Sequence, residues 1–431
     1  DEAIYAEVSK QVFLSGNWLG LTWGGNPWVD KPPVAIWATT IFYKIFGVTE
    51  FAARLFSALC GAGMVVVTYL LGRDLFGRWA GFLGALALLS SMHFIRMARF
   101  GMTDVPLVFF MALSLYFFWR GRERRELLVW SGVFFGAAFL IKSFAALFIP
   151  ATAWVYCFLA GETRLLKSRA YWLGILCAAA MILPWNIYQA THQTEAFLGE
   201  SMNKHFFLRA TQALEGHGGT WYFYIRTVLN KFRPWILVGM FSAPYFIYRS
   251  FRSRDRGTLF ITVWMFTVFL IITAMKTKLH WYLLPVYPAL ALSVGYCLAR
   301  VLPQRRFFWV IAGFLAVMAT HIFYSNALGL DYSRPIKGAA SLVRAQTPAD
   351  GMIFLYNFHE QPAAIYYWDR KIRYLDSSVE FGSAMKEYEK GFYCFISKND
   401  LGAMKAAFPA AVFSVKGEFE DRLLVAGSED S

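Results

Sequence analysis

Ionisable side chains beside apolar segments are the residues of this sequence whose types and spacing suit chemistry. Asp104 begins an apolar run, where an acidic residue is costly to bury and therefore indicates function. Lys31 precedes the pair Pro32–Pro33, which holds the backbone extended and so fixes the ammonium in the way a phosphate contact requires. A carboxylate together with a held cation suits proton transfer next to an anionic substrate.

The first seven residues, DEAIYAE, carry a second group of ionisable side chains. On a helix, Asp1, Tyr5 and also Glu2 would share one side. Ordinary structural roles stay open for these groups, because acids are favoured at the start of any helix. Asp104 also suits the N-cap of a helix that starts at Val105, and Lys31 suits contacts with lipid headgroups.

Basic residues are concentrated in two further segments, NKHFFLRA at 203–210 and KTKLHWYLLP at 276–285. In chain order these segments contribute Lys204, His205, Arg209, Lys276, Lys278, His280 and Tyr282. Single histidines are usually structural, so neither His205 nor His280 is assigned a proton transfer from its position alone. What indicates function is the convergence of several acids and bases, which an enzyme acting on a membrane-bound phosphate requires.

Ten apolar runs must position these side chains. They cover residues 51–71, 79–97, 105–119, 127–142, 144–160, 171–189, 234–249, 258–274, 281–299 and 307–325. Most are long enough to cross a bilayer as a helix, which takes about 20 residues. The chain is 57% hydrophobic and only 16% charged, against about 25% charged in soluble domains. The sequence therefore predicts a polytopic α-helical membrane protein, and it excludes soluble, disordered and coiled-coil proteins.

The loops between the runs predict the orientation. Five short loops at every second connection hold 16 Lys and Arg against 5 Asp and Glu, which places them in the cytoplasm by the positive-inside rule. All the candidate site residues then lie on the opposite, extracytoplasmic face. The net charge of +14 is therefore mainly a signal of topology, and no nucleic acid is expected as a partner.

Three segments do not span the membrane. Residues 1–47 and 190–233 mix aromatic with charged residues and are predicted to lie at the membrane interface. Residues 331–431 alternate short strands with helices, which predicts a small extracytoplasmic α/β domain beside a membrane domain of residues 1–330. Since the sequence begins with Asp, we expect a further transmembrane helix before residue 1.

Five motifs occur in one order along nearly the whole chain, and together they resemble a known family. They are DEAIYAEVSKQVFLSGNWLG, NPWVDKPPVAIW, TDVPLVFF, WYFYI with FRPW, and KTKLHWYLLPVYPALAL. In this order they are similar to the bacterial GT-C glycosyltransferases that use polyprenyl-phosphate sugars, specifically the lipid A aminoarabinose transferases. The protein O-mannosyltransferases are more distantly similar. The chain departs from the family pattern at Ile4, often Arg there, and at Asn17, where SGDW is usual.

The resemblance implies roles for single residues. Asp1 corresponds to the catalytic acid after the first transmembrane helix, and Asp104 to the acid of the second outer loop. Lys31, Arg209 and Tyr282 correspond to contacts with the donor phosphate. Lys278 is a further phosphate candidate, and the supporting candidates are Glu2, Tyr5, Arg99, His205 and Lys276. The resemblance also implies a bacterial inner membrane protein whose active site faces the periplasm.

The predicted reaction is a single displacement that inverts the anomeric carbon. Fixed cations would stabilise the departing phosphate, while Asp1 or Asp104 would accept the proton of the attacking acceptor. We expect no cofactor, although Asp1 and Asp104 could share a divalent ion. The acceptor is lipid A or a similar envelope lipid, and a protein acceptor remains the alternative. A transporter is a second alternative, but the charges lie at one membrane face and no internal repeat is evident.

Overall fold

A computed structural model gives the architecture of the chain as two compact units. The structure describes residues 1–197, 199, 208, 211–253, 255–302, 309, 311–314, 316, 318–319, 333–358, 361–388 and 392–429. The membrane unit comprises Val8–Thr22 and Pro27–Leu328. The C-terminal unit comprises Gly329–Ser431 together with Asp1–Glu7 and Trp23–Asn26. Helix α1 (Glu2–Ser15) and the small hairpin of β1 (Thr22–Trp23) and β2 (Asn26–Pro27) contribute residues to both.

The secondary structure of the membrane unit is almost entirely helical among its described residues. Its helices after α1 are α2 (Val34–Phe46), α3 (Glu50–Phe76), α4 (Arg78–Leu89), α5 (Met92–Arg99), α6 (Asp104–Arg120), α7 (Leu127–Lys142), α8 (Phe148–Ala160), α9 (Arg169–His192), α10 (Phe223–Lys231), α11 (Ile236–Ser253), α12 (Arg256–Ala274) and α13 (Tyr287–Val301). A 3₁₀ segment, Ser143–Leu147, joins α7 to α8, and a second, His280–Val286, leads into α13. Single turns occur at Thr194–Ala196 and Leu214–Gly216.

Five stretches among the described residues are long and apolar enough to cross a membrane, or six if a bent pair is one span. They are Glu50–Phe76, Leu127–Ala160, Arg169–His192, Arg256–Ala274 and His280–Val301, and the bent pair is α4 with α5, at 63°. The sequence predicts more spans because it counts shorter runs. Two predicted runs are joined in Leu127–Ala160, and α6 has only 17 residues. The predicted run 307–325 falls mostly outside the described residues.

Close helix packing in the membrane unit depends on glycine. A Cβ atom added to Gly132 in α7 would lie 2.1 Å from the carbonyl oxygen of Gly174 in α9. Similarly, a Cβ at Gly295 in α13 would lie 2.3 Å from the backbone nitrogen of Gly84 in α4. Small residues allow such backbone contacts between membrane helices, where apolar burial provides little force for association.

The C-terminal unit is a five-stranded mixed sheet covered by helices, as the sequence pattern predicts. Its strands are β3 (Met352–Tyr356), β4 (Lys371–Leu375), β5 (Phe392–Ser397), β6 (Ala411–Phe419) and β7 (Arg422–Glu429), and its helices are α14 (Arg334–Gln346), α15 (Pro362–Trp368), α16 (Ser378–Glu387) and α17 (Lys398–Ala407). The strand order is β4-β3-β5-β7-β6, parallel across the first three strands and antiparallel at β7. Trp368 lies in the core, and its indole donates to the Ile336 carbonyl at 2.8 Å.

The structure assigns the first residues of the chain to a different unit from the one that the sequence predicts. The sequence assigns residues 1–47 to the membrane part, whereas the structure assigns Asp1–Glu7 and Trp23–Asn26 to the C-terminal unit. Ala3 packs against the apolar cluster that α14 and the sheet form. Hydrophobic contact therefore groups the start of α1 with residues that are more than 300 positions away.

Candidate functional site

A buried ion pair between Asp104 and Lys142 forms the centre of the site. Asp104 is the first residue of α6, and Thr103 occupies the N-cap position before it. The Asp104 side chain is 4% exposed. Its Oδ1 atom accepts a hydrogen bond from Lys142 Nζ at 2.6 Å. Lys142 ends α7 where the 3₁₀ segment begins. Charge-assisted hydrogen bonds of this length are strong, and the low dielectric of a buried site strengthens them further.

Tyr282 completes this group, which we call the Asp104 cluster (Asp104, Lys142 and Tyr282). The Lys142 ammonium lies 5.4 Å from the centre of the Tyr282 ring, within range of a cation–π interaction. Tyr282 is half-buried in the 3₁₀ segment His280–Val286, which contacts α6. Two residues predicted from the sequence, Asp104 and Tyr282, thus share a common partner in Lys142.

Two imidazoles, His93 and His280, lie beside the cluster, and we call them the histidine pair. Their ring centres are 5.3 Å apart. His93 is 4% exposed on α5, and its Nδ1 atom is 2.8 Å from the hydroxyl of Tyr287. The Asp104 carboxylate interacts electrostatically with His280. His280 therefore links the histidine pair to the Asp104 cluster.

The segment before the 3₁₀ turn fixes a neighbouring loop. Thr277 Oγ1 donates to the Gln212 carbonyl at 2.8 Å and accepts from the Leu214 backbone nitrogen at 3.3 Å. The backbone nitrogen of Lys278 donates to the His217 carbonyl at 2.7 Å. Residues 277 and 278 therefore hold the loop from 212 to 217 against the 3₁₀ segment.

Lys278 is placed differently from an exposed phosphate ligand. It is 5% exposed, and its ammonium donates to the carbonyls of Ile272 and Thr273 in the last turn of α12. The ammonium also lies 5.4 Å from the centre of the Tyr224 ring. Burial, with a smaller contribution from the Lys276 charge, lowers the pKa of Lys278. A cation at a helix C-terminus is stabilising, so Lys278 has a structural role here, and its phosphate contact stays a prediction.

The other predicted basic residues of the membrane unit lie nearer the surface. Lys31 is half-buried, and its ammonium donates to the Asp30 carbonyl at 3.1 Å. Pro32 and Pro33 behind it are buried, and α2 begins directly after them, so the predicted stiff support is present. Arg99, at the end of α5, and Lys276 are both exposed.

The predicted residues of the N-terminal segment lie in the C-terminal unit. Residues 2–15 are helical, as expected, and the Tyr5 backbone nitrogen donates to the Asp1 carbonyl at 3.1 Å. Asp1 is exposed, Glu2 is half-buried and Tyr5 is buried. The catalytic role of Asp1 stays a prediction. His205 and Arg209 lie outside the described residues, so their predicted phosphate contacts also stay predictions.

Sequence reasoning did not select Lys142, His93 or Tyr287, although a signal points to each of Lys142 and Tyr287. Lys142 is the single charge at the junction of two apolar runs, and the loop parity that places Asp104 outside places this junction outside too. Tyr287 lies in the same motif as Tyr282, one and a half turns further on. His93 had no such signal, since an isolated histidine in an apolar run is usually structural. Within the described part of the chain, no group of three or more His, Cys, Asp or Glu could hold a metal ion.

Comparison with protein families identifies relatives among lipid-linked sugar transferases. Residues 30–188 match the family model described as dolichyl-phosphate-mannose-protein mannosyltransferase. An uncharacterised protein of Aquifex aeolicus is 28% identical over 91% of this chain and 80% of its own length. The undecaprenyl phosphate-α-4-amino-4-deoxy-L-arabinose arabinosyl transferase of Pseudomonas savastanoi pv. phaseolicola is 27% identical over 71% of this chain. The match covers 58% of that transferase.

Solved structures show the same fold. ArnT from Cupriavidus metallidurans, bound to undecaprenyl phosphate, aligns with a TM-score of 0.80 and 20% identity over 99% of this chain and 93% of that one. The oligosaccharyltransferase of Archaeoglobus fulgidus aligns with a TM-score of 0.62 and 13% identity, over 92% and 65%. These comparisons confirm the resemblance predicted from the motifs: the chain has the fold of the solved GT-C membrane enzymes and is similar in sequence to transferases of the aminoarabinose type, which supports a glycosyltransferase.

Proposed function

We propose that this chain transfers a sugar from a polyprenyl-phosphate donor to an envelope lipid such as lipid A, on the periplasmic face of the bacterial inner membrane. The observation that carries the proposal is the Asp104 cluster, in which a buried carboxylate is held by an ammonium that lies over a tyrosine ring. The relatives named above support the donor class, since their names specify undecaprenyl phosphate or dolichyl phosphate. The solved ArnT structure contains undecaprenyl phosphate.

In the proposed reaction Asp104 acts as the base. Lys142 holds Oδ1 of the carboxylate, and Oδ2 accepts the proton of the attacking acceptor hydroxyl or phosphate. The acceptor oxygen forms the new bond to the anomeric carbon while the bond to the donor phosphate breaks, and the configuration inverts. Asp1, the acid predicted from the family motif, orients the acceptor or serves as an alternative base.

Fixed cations stabilise the departing phosphate in this proposal. Lys31 and Arg209 contact it as charges, Tyr282 donates its hydroxyl, and Lys278 supports the segment that carries Tyr282. Such pre-arranged groups stabilise developing negative charge better than water does, because they need not reorient during the reaction. Side chains supply all the positive charge that this mechanism needs, so we propose that no metal ion takes part.

Transfer by the purified full chain in lipid nanodiscs tests the proposal. We expect undecaprenyl-phosphate-linked aminoarabinose and lipid A to give a product that mass spectrometry detects as one added sugar. Lys31→Ala should lower kcat/KM for the donor by about 100-fold, as loss of one stabilising group does. Lys167→Ala, an exposed lysine in a predicted cytoplasmic loop, is the matched control and should retain the wild-type rate.

The family model favours one second candidate, transfer of mannose to protein. The same assay with polyprenyl-phosphate-linked mannose and a peptide rich in serine and threonine distinguishes the two. A glycosylated peptide without a modified lipid would support this candidate against the lipid acceptor. Absence of transfer in all donor and acceptor combinations would reject both.

A further inference from the structure

The histidine pair has an unsatisfied hydrogen-bonding atom. His93 Nε2 is buried and has no hydrogen-bond partner among the described residues. Its other ring nitrogen faces the Tyr287 hydroxyl at 2.8 Å. A phenol is a better donor than an imidazole, so the hydroxyl donates to Nδ1 and the proton of the neutral ring lies on Nε2. An N–H group that is buried without an acceptor is destabilising, and a bound anion would supply the acceptor.

Two exposed cations act electrostatically on the histidine pair. Arg96, one turn after His93 on α5, and Lys231, the last residue of α10, both interact electrostatically with both imidazoles. Within the described ranges neither Arg96 nor Lys231 forms an ion pair with a carboxylate. Two positive charges without a described counter-charge, next to a buried N–H donor, favour an anionic ligand.

The backbone holds these groups together. The Met92 backbone nitrogen, at the start of α5, donates to the Arg233 carbonyl at 3.1 Å. The indole of Trp235 donates to Ser90 Oγ at 2.7 Å. Helix α5 is thereby attached to the segment that follows Lys231, so the convergence of Arg96 and Lys231 does not depend on their flexible side chains alone.

We propose that His93, His280, Arg96 and Lys231 form a binding site for the phosphate of a membrane lipid other than the sugar donor. The site is separate from the donor-phosphate contacts assigned to Lys31 and Tyr282, and this distinction rests on the proposed function. His93 contributes the N–H donor, while Arg96 and Lys231 contribute charge from the exposed side. His280 joins the site to the Asp104 cluster, so a lipid bound here lies beside the reacting groups.

Native mass spectrometry of the full chain with dioctanoyl phosphatidic acid as the probe tests the site. We expect the wild-type protein to bind one probe molecule saturably and to keep it when undecaprenyl phosphate is added. Arg96→Gln and Lys231→Gln should each weaken binding about tenfold, the loss expected when one hydrogen bond to a charged group is removed. Both residues are exposed, so these variants should fold normally. His93→Phe, which keeps a ring and removes the donor, should also weaken binding.

The matched control is Arg226→Gln, which removes an exposed charge from the same helix as Lys231 and should change binding less than twofold. An equal loss in this control would mean general headgroup adsorption and would overturn the proposal. Complete displacement of the probe by undecaprenyl phosphate would also overturn it, because the residues would then belong to the donor site. Saturable probe binding without any sugar transfer would leave this site standing and reject the proposed function instead.

Discussion

At the scale of single residues, the pairing of Asp104 with Lys142 determines what the site can do. The sequence predicts Asp104 from the cost of an acid in an apolar run, and the structure explains how that cost is met. A partner ammonium at 2.6 Å satisfies one oxygen of the carboxylate. Removing one member of a buried ion pair is strongly destabilising, because the other charge stays buried without a partner. The pair therefore has both a structural and a proposed chemical role, and a test must separate them.

Lys142→Met should lower the free energy of unfolding by about 3–5 kcal/mol, because Asp104 then lacks a counter-charge. The double variant Asp104→Leu/Lys142→Met removes both charges and should recover most of that loss. Transfer activity should fall at least about 100-fold in both variants, since the proposed base is unsupported in one and absent in the other. Thermal unfolding in detergent and the nanodisc transfer assay measure the two properties. Recovery of activity in the double variant would show that Asp104 is not the base.

At the scale of elements, sequence patterns predict the helices and strands well and their contacts poorly. The five strands of residues 352–429 lie where short apolar runs predict them. The motifs also identify Asp104 and Tyr282, because acids and aromatic residues at the ends of apolar runs are conspicuous. Partners such as Lys142 and His93 depend on which helices are neighbours. That arrangement is set by backbone contacts such as the one between Gly132 and Gly174. The hydropathy pattern of a sequence does not show which helices make such contacts.

Gly132→Ala should destabilise the membrane unit by about 1–3 kcal/mol, the usual effect of overpacking. The added methyl group meets the Gly174 carbonyl and not a side chain, so no rotamer change can relieve the clash and α7 must move away from α9. The thermal midpoint in detergent measures the effect. Gly402→Ala in α17, where no atom lies within 4 Å of the new methyl group, is the control and should not lower the midpoint. Equal midpoints for wild type and Gly132→Ala would contradict the close packing of these helices.

At the scale of the whole molecule, the distribution of charge predicts the orientation in the membrane. The basic loops, among them the loop around Arg125, are predicted to be cytoplasmic, whereas the segment around Lys276 is predicted to be periplasmic. Both residues are exposed, so each can carry a chemical label. The buried thiol of Cys394 should contribute no background, because burial raises its pKa well above the ordinary value. A raised pKa reduces the thiolate fraction at neutral pH, and the thiolate is the reactive form.

Single cysteines at these positions test the orientation in intact cells with a membrane-impermeant maleimide. With the half-buried Cys177 and Cys297 replaced by alanine, Lys276→Cys should be labelled from outside. Arg125→Cys should be labelled only after the membrane is permeabilised. The background without an introduced cysteine, which keeps the buried Cys60, Cys157 and Cys394, should stay unlabelled until the protein is denatured. The reverse pattern would invert the topology and move the Asp104 cluster to the cytoplasmic side.

The position of the central ion pair at two helix ends has a consequence for the charge that a donor encounters. Asp104 begins α6 and Lys142 ends α7, two helices that pack against each other. The charge of each side chain is opposite in sign to the partial charge at its own helix end. The charges of the two side chains also cancel one another. An anionic donor that approaches this place meets a neutral pair and not a bare carboxylate. Under the proposed function, a base can therefore stay beside a phosphate without repelling the substrate that it serves.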